Sequence, residues 1–252
     1  MHMPTLFLSP STQEFNPYVT TGNEEYWMNQ LADRMVPYLL SSGVEVTRND
    51  PSQNAAAAIR QSNSGNYDFH LALHSNAAPL GAQGTYRGID IYYYPGSADG
   101  LRMAEILVDN LRPIYPLPDR VRALPTMNIG EVRRTLAPAV LAELGYHDNV
   151  EDANWLTGNL DAIARALSLG VTEYFGVPFV EPSPQRQGRV SVQWGRLNIR
   201  QLPDLQSPIL TQAENGDLLT IYGKSGDWYS IQYGDVVGYA NAAYVVPLRE
   251  EA

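Results

Sequence analysis

The segment Phe69-His70-Leu71-Ala72-Leu73-His74-Ser75-Asn76-Ala77 joins an apolar run to an abrupt polar end. The run has the length and composition of a buried strand, and the polar cluster after it begins with His74. In open α/β sheets, ligands collect at the carboxyl ends of the strands. The segment therefore predicts a central strand, with His74 at the edge of the sheet where a site would form.

Strand-like and helix-like patterns alternate on both sides of this segment up to about residue 176. Asn23 is placed to cap a helix over 24–41, which Pro37 should kink or divide. We predict the other strands and helices at 5–8, 44–47, 55–60, 89–94, 97–111, 139–144 and 155–174. The alternation predicts an α/β fold: a doubly wound, mostly parallel sheet with helices on both faces.

The pattern changes after residue 176. Residues 177–188 contain several prolines among polar residues, which predicts a semi-rigid linker between domains at 1–176 and 189–252. Beyond it, short β-type runs at 218–222, 228–233 and 236–239 are separated by Gly-Asp and Ser-Gly turns. This second pattern predicts a small all-β barrel.

Bulk composition excludes several classes of protein. The net charge of −10 argues against a nucleic-acid partner, and the absence of cysteine excludes disulfides and thiolate metal sites. No apolar stretch approaches the ~20 residues of a membrane span, and the first residues show no export signal. Any metal must be held by imidazole, carboxylate or amide groups.

Two side chains carry the chemistry. His74 could bind a metal through a neutral imidazole nitrogen, or it could be a strand-end histidine bonded to backbone; His70, deeper in the strand, suits core packing. Glu143 lies inside the apolar run 138–145, where a carboxylate is costly unless it is paired or catalytic. It is either a general base for hydrolysis or the partner of Arg133 or Arg134.

These residues stand in segments that resemble the zinc-dependent N-acetylmuramoyl-L-alanine amidases. Residues 71–77 are similar to the family's His-Ser/Ala-Asn-Ala segment, and residues 140–149 to its Leu-x-Glu-x-Gly-Phe/Tyr-x-x-Asn segment. Glu24, followed by Leu31-Ala32, is similar to the family's acidic residue and the helix after it. The resemblance covers about Leu6 to Tyr174.

The resemblance implies one Zn²⁺ with Glu24 and His74 as ligands and Glu143 as the catalytic acid/base. Asn76, beside His74, would help line the substrate pocket. The implied reaction is hydrolysis of the peptidoglycan amide between N-acetylmuramic acid and the L-alanine of the stem peptide. The metal would polarise the carbonyl, and Glu143 would transfer the proton.

One position departs from the family. After the first strand the family has Asp-Pro-Gly-His, whose histidine binds zinc, whereas this chain has Ser9-Pro10-Ser11-Thr12-Gln13-Glu14. We expect Gln13 to supply the missing ligand, with Glu14 as the alternative. Weaker zinc affinity, another divalent metal or a site without catalysis also remain open, because amide oxygen is a weaker zinc donor than imidazole.

The C-terminal part resembles bacterial SH3-like domains between about Gly188 and Leu248. The similar residues are Leu197-Asn198-Ile199-Arg200, Gly216-Asp217, Gly226-Asp227-Trp228-Tyr229 and Gly238-Tyr239. Such domains accompany wall hydrolases, so the resemblance implies a peptidoglycan-binding module, with Trp228 either in its core or in its groove. The expectation is a two-domain amidase of the cell wall or extracellular space. The alternative is a wall-binding protein with impaired catalysis.

Overall fold

The computed structural model describes residues 3–248. They form two compact units: residues 5–35 and 46–174 make the larger one, and residues 3–4, 36–45 and 175–248 make the smaller one. The linker at 177–188 stays a prediction; within this range Val180 is buried in the smaller unit, and a strand begins at Arg186. The outer ends of the two predicted domains, residues 1–2 and 249–252, lie outside the described range.

The larger unit is built on a six-stranded sheet. Its strands are β1 (Thr5–Pro10), β2 (Glu45–Arg48), β3 (Phe69–Asn76), β4 (Ile89–Tyr93), β5 (Val121–Pro125) and β6 (Ala139–Tyr146). Their order is β2-β1-β3-β6-β4-β5. The β1–β3, β3–β6 and β4–β5 pairs are parallel, and β4 is antiparallel to β6. The predicted α/β class is confirmed, although β5 was not predicted.

In the described part of the chain, six α-helices connect or follow these strands. They are α1 (Glu24–Ser41), α2 (Ala55–Ser64), α3 (Ala98–Leu111), α4 (Gly130–Arg133), α5 (Val150–Gly158) and α6 (Leu160–Phe175). Asn23 caps α1 as predicted, since its side chain accepts a hydrogen bond from the Tyr26 amide. Helix α1 continues through Pro37 without dividing. Within residues 3–248, no helix has the length and apolar character needed to cross a bilayer.

The core of the larger unit surrounds β3 and β6. Leu71 and Leu73 on β3 are fully buried, as are Val140 and Ala142 on β6. Burial on both faces explains why these strands read as continuous apolar runs rather than as alternating patterns. On β3 the residues His74, Ser75 and Asn76 follow the apolar run, whereas on β6 Glu143 interrupts it.

The smaller unit contains a seven-stranded antiparallel sheet. Its strands are β7 (Arg186–Val190), β8 (Leu197–Arg200), β9 (Ile209–Ala213), β10 (Leu218–Ser225), β11 (Trp228–Tyr233), β12 (Val236–Asn241) and β13 (Val245–Pro247). Their order is β13-β7-β10-β11-β12-β8-β9. Ile199, Ile221 and Ile231 are fully buried in its core. Gly226 and Gly234 take positive φ angles of 55° and 58° at the tight turns that flank β11.

Candidate functional site

A row of polar residues crosses four neighbouring strands of the larger sheet. His74 on β3 pairs in register with Glu143 on β6, which pairs in turn with Asp90 on β4. Asp90 then pairs with Arg122 on β5, and the Arg122 guanidinium donates to Asp90 Oδ1 at 2.7 and 2.9 Å. Residues directly opposite one another project from the same face of a sheet. His74 and Glu143 are therefore immediate neighbours on one face of the sheet.

A distortion of β6 follows Glu143. The β3–β6 register shifts between His74 and Asn76, and Gly145 takes a φ of 92°, a conformation that a side chain would strain. The fully buried Asp152 carboxylate accepts a hydrogen bond from the Tyr146 amide just beyond the distortion. This hydrogen bond fixes the backbone of β6 just after Glu143.

Two of the predicted ligands meet at one ring nitrogen of His74. Nδ1 of His74 lies 2.7 Å from Oε1 of Glu24 and 3.3 Å from the side-chain nitrogen Nε2 of Gln13. Asn16 joins the two outer groups, donating to Glu24 Oε2 at 2.7 Å and to Gln13 Oε1 at 3.2 Å. Glu24 starts α1, where the helix dipole favours a carboxylate. Gln13, Glu24 and His74 therefore converge, although His74 lies 50 residues from Glu24 and 61 residues from Gln13 along the chain.

The opposite nitrogen of the same ring contacts another carboxylate. Nε2 of His74 lies 3.2 Å from Oε2 of Glu131, which is on α4. Oε1 of Glu131 accepts a 2.6 Å hydrogen bond from the Ser9 hydroxyl and lies 3.3 Å from Nε2 of His70. All four of these residues are buried. His74 is thus held between two carboxylates.

This arrangement shifts the pKa values of the ring and of both acids. Burial alone would lower the pKa of His74, but its hydrogen bonds to Glu131 and Glu24 raise it well above 6.5. Burial alone would raise the pKa of Glu24, but the hydrogen bonds from His74 and Asn16 outweigh burial and lower this pKa. The pKa of Glu131 is lowered strongly by His70 and His74 despite burial. The protein alone therefore favours an imidazolium between two carboxylates.

Glu143 has a different environment. Its Oε2 is buried and has no hydrogen-bond partner among the described residues. Burial raises the pKa of Glu143 to about 7; the His74 charge opposes this, while Glu24 and Asp90 add to it. Within residues 3–248 no ion pair joins Glu143 to Arg133 or Arg134, the alternative that the sequence left open. A carboxyl with a pKa near 7 can both accept and return a proton at neutral pH.

The other candidates lie at different places. Glu14 is exposed, and the Asn76 side chain accepts a hydrogen bond from the neighbouring Ala77 amide. His70 is fully buried and contacts Ser62 and Glu131, in keeping with the expected core position. His147 is also buried, with its Nδ1 3.1 Å from the Ser75 hydroxyl.

Sequence reasoning missed Glu131 and Asn16. Glu131 stands in a short helix with no strong pattern, and its only local signal is its position between Ile129 and Val132, two apolar neighbours. Its partner Ser9 is 122 residues away along the chain. Asn16 lies in an irregular loop whose path the sequence does not predict.

Comparison with known proteins places both parts of the chain. Residues 16–173 match the family model described as N-acetylmuramoyl-L-alanine amidase, and residues 195–246 match the bacterial SH3 domain. Two curated relatives are similar over part of their length. Bacteriocin BCN5 of Clostridium perfringens is 29% identical over 48% of this chain and 14% of its own length. N-acetylmuramoyl-L-alanine amidase CwlM of Bacillus licheniformis is 28% identical over 51% of this chain and 49% of its own length.

Solved structures share the fold of the larger unit. An N-acetylmuramoyl-L-alanine amidase from Clostridium difficile 630 has a TM-score of 0.61 at 18% identity, covering 70% of this chain and 98% of that one. The catalytic domain of CwlV from Bacillus (Paenibacillus) polymyxa var. colistinus gives 0.60 at 18% identity, covering 70% of this chain and all of that one. The chain spans about half or less of the curated relatives it matches, yet the family model covers most of it. The chain therefore belongs to the N-acetylmuramoyl-L-alanine amidase family, and a bacterial SH3 domain follows its amidase region.

Proposed function

We propose that this chain hydrolyses peptidoglycan at the amide between N-acetylmuramic acid and the L-alanine of the stem peptide. The observation that carries the proposal is the buried Oε2 of Glu143, which has no hydrogen-bond partner within residues 3–248 and whose residue lies in register beside His74. A strand in the middle of a core gains nothing in stability from such a group. The family match supports the choice of substrate, and a protein with this activity would act at the cell wall or outside the cell.

The donor chemistry around His74 fits a zinc ion. Zinc in catalytic sites takes imidazole and carboxylate donors and keeps one position open. His74 Nδ1, the Glu24 carboxylate and the Gln13 amide converge, and Asn16 holds the outer two in place. Between residues 3 and 248, no three His, Asp or Glu side chains form a metal-binding cluster. Gln13 would complete the set through its Oε1, which requires its side-chain amide to turn over, because Nε2 faces His74 and Oε1 accepts from Asn16. An amide is a weaker donor, so another divalent ion could also occupy this set.

Each residue then has one role. When bound, zinc supplies Lewis acidity to the scissile carbonyl and to the attacking water. His74, Glu24 and Gln13 would hold the ion. The Glu143 carboxylate takes a proton from water during attack and returns it to the alanine nitrogen as the amide breaks. Asn76, two residues beyond His74 at the end of β3, lines the approach of the substrate.

Digestion of purified peptidoglycan tests this function. We expect the protein to release stem peptides that begin with L-alanine, detected by mass spectrometry, without new reducing sugar ends. Glu143→Gln keeps the shape of the side chain and should lower the rate by ~10²–10⁴-fold. The matched control Glu105→Gln changes an exposed glutamate on α3 and should retain full activity.

Metal dependence is tested on the same digest. A chelator should abolish release of the peptides, and added Zn²⁺ should restore it. Activity that persists through both chelation and Glu143→Gln would reject the mechanism. New reducing ends without free peptides would reject the amide as the bond that is cut.

A second function, binding to the wall, has its own structural support. The SH3 domain carries a groove of about 700 Å³ lined in part by Trp194, Arg196, Arg200, Leu205, Trp228 and Tyr244. Trp194 is 90% exposed, and Trp228, 8% exposed, is both buried and part of the groove wall. Exposed aromatic and arginine side chains are typical of binding surfaces. We propose that this groove binds peptidoglycan.

Wall binding and catalysis can be separated. If the chain is a wall-binding protein with impaired catalysis, it should sediment with peptidoglycan, contain sub-stoichiometric zinc and release no peptide. If it is an amidase, the wild type should release stem peptides, and Glu143→Gln should sediment like the wild type while releasing them ~10²–10⁴-fold more slowly.

A further inference from the structure

Glu131 is a buried carboxylate with no part in the proposed proton transfer. It is 4% exposed and lies on α4, just before β6. An isolated buried carboxylate is costly, so its partners must compensate for the lost hydration. Those partners are the Ser9 hydroxyl, His70 and His74, which together engage both of its oxygens.

The polar contacts of His74 lie on two opposite sides of its imidazole ring. The two nitrogens of an imidazole ring point away from each other, so one ion cannot use both. Nδ1 faces Glu24 and Gln13, whereas Nε2 faces Glu131. An ion held by Glu24 and Gln13 must therefore bind Nδ1. That leaves Nε2 to carry a hydrogen and to donate it to Glu131.

We infer that Glu131 positions His74 for metal binding, by accepting the Nε2 hydrogen and fixing the orientation of the ring. The inference rests on the proposed function. Carboxylates that accept from the far nitrogen of a metal-binding histidine select its tautomer and increase its basicity. The increased basicity matters for metal affinity in this chain, because the third ligand is the side-chain amide of Gln13, a weaker donor than imidazole. A more basic His74 offsets part of that weakness.

Glu131 does not suit the role of a direct ligand. Its Oε1 is already engaged by Ser9 at 2.6 Å and by His70 at 3.3 Å. Its Oε2 faces the nitrogen opposite to the one shared with Glu24 and Gln13. The site residues on the other side, Gln13 and Asn16, are partly exposed and can be reached from solvent.

Zinc affinity of purified variants tests the inference without an activity assay. We would measure the Kd by competition with a chromophoric chelator for wild type, Glu131→Ala, Glu131→Gln and the control Glu105→Gln. Glu131→Ala should bind zinc ~10–100-fold more weakly. Glu131→Gln keeps an acceptor oxygen but loses the charge, so its affinity should lie between those of wild type and Glu131→Ala. Glu105→Gln should match the wild type.

Nitrogen chemical shifts of His74 in the zinc-loaded protein give a second readout. We expect a hydrogen on Nε2 and the metal on Nδ1. Metal on Nε2, or a folded Glu131→Gln with wild-type zinc affinity, would overturn the inference. Should Glu131→Ala fail to fold, Glu131→Gln still carries the test. A wild type that binds no zinc would instead refute the metal site itself, and with it both proposals.

Discussion

Replacing Glu143 with glutamine should make the metal-free protein more stable at alkaline pH. Burial raises the pKa of this carboxyl from 4.5 to about 7. Between these values the folded protein holds a proton that the unfolded chain has released, so wild-type stability falls as pH rises through this range. Below the unfolded-state pKa the carboxyl is neutral in both states and costs nothing. Glutamine is neutral at every pH, so the variant does not lose stability as the pH rises through this range.

The magnitude follows from the separation of the two pKa values. The interval from 4.5 to about 7 corresponds to ~3 kcal/mol, at roughly 1.36 kcal/mol per pKa unit. This is an upper limit, because Glu143 is partly accessible although its Oε2 is buried. We therefore expect the advantage of Glu143→Gln over wild type to grow by ~2–3 kcal/mol between about pH 5 and about pH 8.

Urea unfolding in the presence of a chelator measures this change. The helical circular dichroism signal would be followed for wild type, Glu143→Gln and Glu105→Gln at both pH values. The exposed control should differ from wild type by no more than ~0.5 kcal/mol at either pH. A stability difference for Glu143→Gln that does not change with pH would refute the claim that an unpaired buried carboxyl raises the free energy of the folded state.

Three further substitutions test other parts of the account. Asp152→Ala removes a buried carboxylate that accepts from Arg87 and Tyr115, and should cost ~3–5 kcal/mol of unfolding free energy; a loss below ~1 kcal/mol would contradict this. Gly145→Ala places a side chain at a φ of 92° and should cost ~1–2 kcal/mol, seen as a lower Tm. Trp194→Ala should weaken sedimentation with peptidoglycan by at least ~10-fold with an unchanged Tm, and unaltered binding would move the site away from the groove.

The sequence predicted the central part of the larger unit well, for a physical reason. Strands β3 and β6 are buried on both faces, so their apolar runs are long and end sharply at His74 and near Glu143. A buried ionisable group in such a run stands out against its neighbours. Strand β5 lacked this contrast, because it lies at the edge of the sheet and Val121 alone among its five residues is buried.

The surroundings of His74 were not predictable in the same way. The bond between Ser9 and Glu131 joins positions 122 residues apart, and it depends on how α4 packs beside β6. The short loop after β1 brings Gln13 rather than Glu14 to the ring, and no local pattern distinguishes the two. Side-chain contacts between distant loops depend on the tertiary fold, which periodicity does not encode.

Diffraction at the zinc absorption edge from crystals grown with Zn²⁺ is the most direct test of the metal centre. The account predicts one anomalous peak per chain, ~2.0–2.2 Å from both His74 Nδ1 and a Glu24 oxygen, with Gln13 beside it and Glu143 not bound. A peak on the Glu131 side of the ring, or no peak at His74 in fully loaded crystals, would contradict it.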